Sequence, residues 1–297
     1  MDDQISLARR AMLHSPLVLS QFRAGAEARL RVAPEDPAGL WRLAQLCRAL
    51  GDFDAAAQSY DAYARVRPGD PLGTALARLM RGDPDGMVGL AGPSPFLRIE
   101  HFLNDADHAA LWARVAACAA HLRPSRVYGE EGADLKDKDQ SRVDPVRRVS
   151  MLALADAGLR AFLLPKLEAV MAVLGLPGRF GLPDLHGGRV EMQVTSHLDR
   201  GFFSLHRDTG PATPDRTLTF VYYLARFPVR YSGGDLLLHD EEEGNANGNF
   251  TRIAPVNNSL VLFPSGRLHE VLPITCDSAD PLDGRITING WFHNKGW

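Results

Sequence analysis

The strongest structural signal in the sequence is a series of short segments, beginning at Arg189, in which apolar and polar residues alternate. Six of these segments are rich in β-branched and aromatic residues and are separated by Gly, Pro, Asn and Asp. They read RVEMQVTS, FFSLH, TLTFVYYL, DLLLH, SLVLFP and RITINGWFH. A period of two sends successive side chains to opposite faces of a strand. Six or more strands at this spacing predict a β-sandwich or jelly roll.

Two helices are expected ahead of these strands. The first opens at Asn104 or Asp105 and carries apolar residues at helical spacing from Leu111 to Leu122. The second is predicted to begin at Pro165, because proline is favoured at the first helical position. Residues 124–148 between them are polar and charged, which predicts a long loop that could act as a lid. The fold class predicted is α+β, a double-stranded β-helix (jelly roll) braced by helices.

The chain is predicted to contain two domains. Residues 1–90 read as a small all-α region, and residues 81–95 are rich in Gly, Pro and Asp, as expected of a linker. Residues 91–297 then form the jelly-roll domain. The length of 297 residues suits one large domain or two ordinary ones.

The helical region contains a segment, residues 37–68, with the pattern of two helices joined by a turn at Gly51. With Ala56, Tyr60 and Pro68 also at the expected places, it resembles one tetratricopeptide repeat. One unit cannot bury its own apolar face, so flanking helices are expected. The region could dock a peptide, form a homodimer, or serve only as a helical cap that braces the fold.

Charge and cysteine content exclude several functional classes. Lys and Arg number 33 against 36 Asp and Glu, a net charge of −3, so bulk charge does not favour nucleic acid as a partner. Three widely spaced cysteines fit reduced thiols in a cytosol better than extracellular bridges. The acidic N-terminal residues do not resemble an export signal, and the most apolar stretch is broken by charges. We therefore expect a cytoplasmic protein without membrane association.

Three residues in the strand region could bind one metal ion. His206 and Asp208 are two apart, so on an extended strand they present an imidazole and a carboxylate on the same side. His269 begins another predicted strand, which a jelly roll can bring close. Two histidines and one carboxylate are the facial triad of non-heme iron(II) oxygenases, in which the opposite half of the coordination sphere stays open.

Seven motifs follow one another in a characteristic order. Around the His206-x-Asp208 pair and His269, the chain shows MQVTSHLDRG (192–201), RTLTFVYYL (216–224), SGGDL (232–236), NSLVLFP (258–264), HEVLP (269–273) and RITINGWF (285–292). Residues 95–297 therefore resemble the prolyl-4-hydroxylase-like branch of the iron(II)/2-oxoglutarate-dependent dioxygenases. The match includes the segment Arg147-Arg-Val-Ser150, although the spacing from His269 to Arg285 is several residues longer than is usual in that family.

The resemblance implies roles for six residues. His206, Asp208 and His269 would be the iron ligands and the catalytic centre. Cosubstrate binding would fall to Arg285 at the distal carboxylate of 2-oxoglutarate, with Tyr223 beside it and His197 where relatives often have a tyrosine. A planar guanidinium suits a carboxylate because it donates two parallel charge-assisted bonds. The cofactors implied are Fe(II), 2-oxoglutarate and O2, with ascorbate as a candidate supplement for full activity.

Three functions are compatible with this resemblance. The first is hydroxylation of an unactivated C–H bond in a residue of a peptide or protein, with proline as one candidate. The second is hydroxylation of a free amino acid or small metabolite. The third is a non-catalytic binding protein that works through its helical repeat.

Two charged clusters are interpreted as surface features. Arg142, Arg147 and Arg148 could steer an acidic substrate, but a solvated loop edge is the favoured interpretation. His239 and Asp240, with Glu241 to Glu243, could form a second metal cluster, but the favoured interpretation is a solvated acidic hairpin whose turn lies at Asn247-Gly248.

Overall fold

The computed structural model of the protein describes residues 14–126 and 143–294. The chain divides into two compact units. One consists of the residues up to Pro93 together with His239–Arg252, and the other of Ser94–Leu238 together with the residues from Ile253 onward. The sequence did not anticipate that residues 239–252 cluster with the N-terminal helices.

Four successive helices form the N-terminal part of the first unit. They are α1 (Pro16–Val32), α2 (Pro37–Leu50), α3 (Phe53–Val66) and α4 (Pro71–Met80), and each packs against the next. Asp36 and Asp70 cap α2 and α4 by accepting hydrogen bonds from backbone N–H groups of the first turn. Both aspartates precede a proline at the first helical position, and they lie 34 residues apart. The helical N-terminal region is thus confirmed, while its tetratricopeptide-like character remains a prediction.

The turn between α2 and α3 depends on Gly51. Its φ of +77° is left-handed, and its backbone N–H donates to the last carbonyls of α2. The backbone N–H of Asp52 donates to the carbonyl of Cys47 at 3.0 Å, which closes the cap. Asp52 then caps α3 through the N–H of Ala55. This short connection keeps α2 and α3 antiparallel.

A buried ion pair joins the hairpin formed by residues 239–252 to α2. Both terminal nitrogens of Arg48 donate to the carboxylate of Asp240, and Gln45 accepts a further bond from the guanidinium at 2.6 Å. The side chains of Arg48 and Asp240 are 0% and 3% exposed. The expectation of a solvated hairpin at His239 and Asp240 is therefore wrong, because Asp240 satisfies its charge inside the fold.

The hairpin also turns at a different place from the one expected. Strand β9 (Leu236–Glu242) ends before Glu243 and Gly244, and β10 (Asn245–Ile253) contains Asn247-Gly248 within the strand. Glu243 and Gly244 have φ values of +49° and +80°, as a two-residue turn of type I′ requires. The Asn-Gly pair was the stronger sequence signal, but Gly244 supplies the turn.

The second unit contains two helices, the larger of two antiparallel sheets, and those strands of the smaller sheet that lie outside residues 239–252. The helices are α5 (Asp105–Cys118) and α6 (Ala157–Val173). The larger sheet has the order β1 (Leu97–Ile99), β11 (Ser259–Pro264), β7 (Arg216–Leu224), β14 (Arg285–His293), β5 (Val190–His197), β4 (Met151–Leu154) and β2 (Arg123–Pro124). The smaller sheet orders β10, β9, β12 (His269–Val271), β6 (Phe202–His206) and β3 (Arg148–Val149), and β13 (Ile274–Cys276) pairs with β8 (Tyr231–Gly233). The predicted α+β jelly roll is confirmed.

Helix α6 begins earlier than the sequence analysis expected. It starts at Ala157, where Asp156 accepts a hydrogen bond from the N–H of Leu159 at 2.7 Å, and Pro165 lies inside the helix. The expected start at Pro165 is wrong because the buried face continues across the proline, from Leu159 through Leu163 to Met171. Helix α5 begins as predicted, with Asn104 as its cap.

The larger sheet has an apolar face and a polar face. Ile286, Ile288 and Phe292 of β14 join a core cluster with α5 and α6. Because side chains alternate along a strand, Arg285 and Thr287 lie on the opposite face, as do His197 of β5 and Tyr223 of β7. This second face lines the interior of the roll, where the candidate site lies.

Two observations bear on compartment and membrane. Cys47, Cys118 and Cys276 are free thiols, and all three are buried. No helix in the described parts of the chain combines the length and apolar character needed to cross a bilayer. The expected cytoplasmic location remains a prediction.

Candidate active site

Neighbouring strands of the smaller sheet bring His206 and His269 together. β6 and β12 pair antiparallel, with His206 opposite His269 and Phe203 opposite Val271. Three steps along β6 match two steps along β12, so β6 carries a bulge of one extra residue. The bulge shifts the alternation, and Phe203 and His206 consequently lie on the same face. Their rings stack with centroids 3.5 Å apart.

Asp208 completes a compact cluster of three donor groups. One oxygen of its carboxylate lies 3.5 Å from Nε2 of His206, and the other lies 3.5 Å from Nε2 of His269. Candidate ligand atoms of the three residues all lie within 4.8 Å of one another, and the three side chains are buried. Neighbouring ligands of an octahedral ion with bonds of about 2.1 Å are about 3 Å apart, so one divalent cation fits this spacing.

Each histidine is held in the tautomer that suits a metal ligand. Nδ1 of His206 lies 2.8 Å from the carbonyl oxygen of Ser204, and Nδ1 of His269 lies 2.9 Å from that of Arg267. Because a carbonyl only accepts, both Nδ1 atoms carry the proton and leave Nε2 with its lone pair when the rings are neutral. The Nε2 lone pairs of both histidines then face the carboxylate of Asp208 and repel it. A cation bound between the three groups removes this repulsion.

Asp208 is oriented by hydroxyl groups of the larger sheet. Thr219 donates to its carboxylate at 2.8 Å, and the hydroxyl of Thr219 also contacts that of Ser265 at 2.9 Å. Burial raises the pKa of Asp208, but the positive charges available to His269 and His206 outweigh burial and lower the pKa below its usual range. The group is therefore an anion suited to a metal ion.

Arg285 is a buried cation that has no carboxylate partner among the described residues. It is 2% exposed, and its Nε has no hydrogen-bond partner among the described residues. Its terminal nitrogen approaches the hydroxyl of Tyr223 at 3.4 Å. Asp283, two residues earlier, pairs instead with Arg226. A buried guanidinium without a carboxylate partner is costly, so the pocket around it fits an anion.

Gly234 provides the space that the Arg285 side chain occupies. A Cβ at this position would lie 2.5 Å from Cδ of Arg285, and the φ of Gly234 is +75°. Only glycine combines this backbone conformation with so close an approach. The SGGDL motif thus shapes the pocket.

Tyr223 and His197 lie beside Arg285 on the same face of the sheet. Burial raises the pKa of Tyr223, which Arg285 partly offsets, so the phenol keeps its proton. His197 pairs in register with Arg285 and is 3% exposed, and both its ring nitrogens lack partners among the described residues. Burial, together with the charges of Arg285 and Arg148, lowers the pKa of His197 well below its usual value. Its ring is therefore neutral at physiological pH.

The comparison with known families agrees with this arrangement. Residues 192–293, which include all three members of the cluster and Arg285, match the sequence profile of the 2OG-Fe(II) oxygenase superfamily. Over these residues the chain is similar to a 2OG-Fe(II) oxygenase domain. This confirms the family resemblance found in the sequence motifs.

Relatives of the oxygenase domain include proteins described as hydroxylases. The chain is 34% identical over 144 residues to an uncharacterised PKHD-type hydroxylase of a Synechocystis strain, covering 44% of this chain and 48% of that protein. The match thus spans about half the length of that curated relative. Among solved structures, a Pseudomonas putida prolyl-4-hydroxylase is similar at 22% identity and a TM-score of 0.49, covering 68% of this chain and 94% of its own. A Trichoplax adhaerens prolyl hydroxylase in complex with a peptide fragment has 18% identity and a TM-score of 0.46, with coverages of 67% and 84%.

Sequence reasoning overlooked several residues of the oxygenase domain. Thr219 has the same strand parity as Tyr223, a signal that could have placed it on the interior face. Arg148 was interpreted as part of a solvated loop edge, and this is wrong, because the residue is 8% exposed and pairs with Phe203 in the smaller sheet. Arg142 of the same cluster, and residues 127–142 of the proposed lid, lie outside the described residues.

Proposed function

We propose that this chain is an iron(II)- and 2-oxoglutarate-dependent hydroxylase that oxidises an unactivated C–H bond, acting on a residue within a peptide or protein, with proline as one candidate. The observation that carries the proposal is the placement of Arg285, a buried guanidinium that has no ion-pair partner among the described residues, in the same hollow as two histidines and a carboxylate whose donor atoms fit one ion.

The iron would be held by Nε2 of His206, Nε2 of His269 and the carboxylate of Asp208. When bound with 2-oxoglutarate and oxygen, it supplies the oxidising chemistry that turns a C–H bond into C–OH, while the cosubstrate becomes succinate and carbon dioxide. The fit is supported by the two Nδ1–carbonyl bonds, which keep both imidazoles in the ligating tautomer.

The other residues of the hollow would bind and orient the cosubstrate. Arg285 would donate two parallel bonds to the distal carboxylate, and the protonated hydroxyl of Tyr223 would donate a third. His197, neutral and without hydrogen-bond partners among the described residues, would donate or accept beside them. These side chains are at most 3% exposed, so a bound carboxylate would be shielded from water and its charge-assisted bonds would be strong.

The proposal is tested by supplying the purified protein with iron(II), ascorbate, 2-oxoglutarate, and pools of candidate peptides and amino acids. We expect a mass gain of one oxygen atom in a component of the peptide pool, with an equal amount of succinate. An oxygen gain only among free amino acids would overturn the peptide assignment while retaining the chemistry. Absence of succinate with every pool would overturn the enzyme assignment and favour a binding protein.

Substitutions at the centre sharpen this test. His206→Ala or Asp208→Ala should abolish turnover, because each opens the protein side of the iron. His186→Ala is a matched control at an exposed histidine and should leave turnover unchanged. Arg285→Gln should instead raise the KM for 2-oxoglutarate by about 30-fold or more, because a buried ionic partner is lost. Turnover by the His206 or Asp208 variant at the wild-type rate would contradict the assignment.

The helical unit is proposed to dock the substrate peptide. The support is the stacking of four successive helices, with Asp-Pro starts one repeat length apart, which is typical of peptide-binding repeat arrays. If the proposal is right, kcat/KM should rise with peptide length beyond the reacting residue, mainly through KM. A homodimer through these helices is the competing use. A length-independent kcat/KM together with a dimeric mass in solution would favour that use.

A further inference from the structure

The oxygenase domain contains a second buried guanidinium, that of Arg148, which the roles assigned above leave unused. Arg148 is 8% exposed and opens β3, where it pairs with Phe203 of β6. Its Nε donates to the hydroxyl of Ser150 at 2.9 Å. Among the described residues, neither terminal nitrogen has a hydrogen-bond acceptor, and the side chain has no ion-pair partner. A buried cation in this state favours a bound anion.

Arg148 lies on the wall of the hollow that contains the metal ligands. Its guanidinium carbon is 4.7 Å from the ring centroid of Phe203, and that ring stacks on His206. Arg148 also interacts electrostatically with Asp208 and with His197. Burial lowers the pKa of Arg148 to about 10, so the group is still a cation at neutral pH.

Arg148 lacks a compensating negative charge in the described part of the chain. Arg285 and Arg148 are positive, Asp208 is negative, and the three histidines of the hollow are neutral when His206 and His269 ligate an ion. A divalent iron and the dianion of 2-oxoglutarate cancel each other. One positive charge is left among these groups. A further carboxylate, Asp235, acts on Tyr223 beside Arg285, whereas the only described carboxylate that acts on Arg148 is Asp208, which would bind the ion.

We propose that Arg148 binds a carboxylate of the substrate that is oxidised, so that the substrate class is an acid whose anionic group lies close to the reacting carbon. This inference rests on the proposed hydroxylase function. The fork of N–H donors on Arg148 fits a planar carboxylate, and the Phe203 ring holds the guanidinium flat. The carboxylate is either the α-carboxylate of a free amino acid or the side chain of an acidic residue in a peptide.

The experiment is a binding measurement, which does not depend on turnover. The full-length protein is loaded with manganese(II) and 2-oxoglutarate without oxygen and is titrated calorimetrically with matched probes. One arm uses free L-amino acids and their carboxamides. The other arm uses end-blocked peptides containing proline next to glutamate, and the same peptides with glutamine. Arg148→Gln and Arg148→Lys are compared with the wild type.

We expect at least one acid to bind about 30-fold more tightly than its amide, in the arm that identifies the source of the carboxylate. Arg148→Gln should lose this preference, and Arg148→Lys, which keeps the charge but not the fork, should keep part of it. The affinity of both variants for 2-oxoglutarate should stay within about twofold of the wild type, which also shows that they fold.

Three results would overturn the inference. The first is that no acid binds more tightly than its amide in either arm. The second is that the preference persists in Arg148→Gln. The third is that Arg148→Gln weakens 2-oxoglutarate as strongly as Arg285→Gln does, which would assign the guanidinium to the cosubstrate. Failure of the hydroxylase proposal would show separately, as absent succinate.

Discussion

Gly234→Ala offers a test of the cosubstrate pocket that leaves every polar group in place. The added methyl would lie 2.5 Å from Cδ of Arg285 and 2.8 Å from Cγ1 of Ile274. Carbon atoms in contact prefer about 3.5 Å, so the Arg285 side chain must shift by about 1 Å. It is 2% exposed, and a shift of this size changes where its guanidinium points.

The expected loss follows from hydrogen-bond geometry. Charge-assisted N–H···O bonds are about 2.7–2.9 Å long, and a shift of about 1 Å takes at least one of two parallel bonds out of range. A bond to a charged group contributes about 1.5–3 kcal/mol. The affinity for 2-oxoglutarate should therefore fall by about 10- to 150-fold.

Backbone strain is separated from the pocket effect by a control at another left-handed glycine. Gly244 has a φ of +80°, and no described heavy atom lies within 4 Å of the Cβ that alanine would add. Gly244→Ala should lower the free energy of unfolding by about 1–2 kcal/mol, because alanine is strained at positive φ. Gly234→Ala should lower it by more, because its methyl also meets Arg285 and Ile274. The assay is calorimetric titration of 2-oxoglutarate into each manganese-loaded protein, with thermal unfolding alongside.

Only Gly234→Ala should change the affinity for 2-oxoglutarate. If both variants bind it equally well, Arg285 does not hold the cosubstrate or is not positioned by this glycine.

Two further outcomes follow from buried contacts. Thr219→Val removes the hydroxyl that donates to Asp208. We expect the affinity for manganese(II) to fall by about tenfold in a fluorescence or calorimetric titration. Unchanged affinity would show that the hydroxyl does not orient the carboxylate. Arg48→Met leaves the buried carboxylate of Asp240 without its partner and should cost about 3–5 kcal/mol in denaturant unfolding, while Arg81→Met at an exposed ion pair should cost less than about 1 kcal/mol. Equal costs for these two variants would contradict the role assigned to the buried pair.

Period-two alternation predicted the strands that contain the site because a strand presents its side chains alternately to the two faces of its sheet. The runs that read FFSLH and RITINGWFH coincide with β6 and β14 at both ends. Arg285 opens β14 as expected, although the stretch between His269 and Arg285 is longer than is usual in the family that the sequence resembles; β13 and a short 3-10 helix (Pro281–Asp283) lie in that stretch. Strand parity predicted that His206 and Asp208 would share one face, but β6 ends at His206 and Asp208 lies two residues beyond it.

The features that sequence reasoning missed depend on partners distant in the chain. Arg148 lies in a polar segment, and only its pairing with β6 shows that it is buried. Asp240 reads as one of four consecutive acidic residues until Arg48, 192 residues away, is seen beside it. The bulge in β6 leaves no local signal, because its register is set by β12. Local patterns therefore predict elements, but not the long-range pairs that decide burial.

The grouping of residues 239–252 with the N-terminal helices affects how this protein can be divided. Cutting the chain in the Gly/Pro/Asp-rich linker would remove Arg48 from the remaining polypeptide. Asp240 would stay in that polypeptide as a carboxylate that has lost the cation with which it is buried. Poor yield of such a fragment would then report on that orphaned aspartate and not on peptide recognition. Chimaeras that exchange the helices between relatives will need to transplant the hairpin with them.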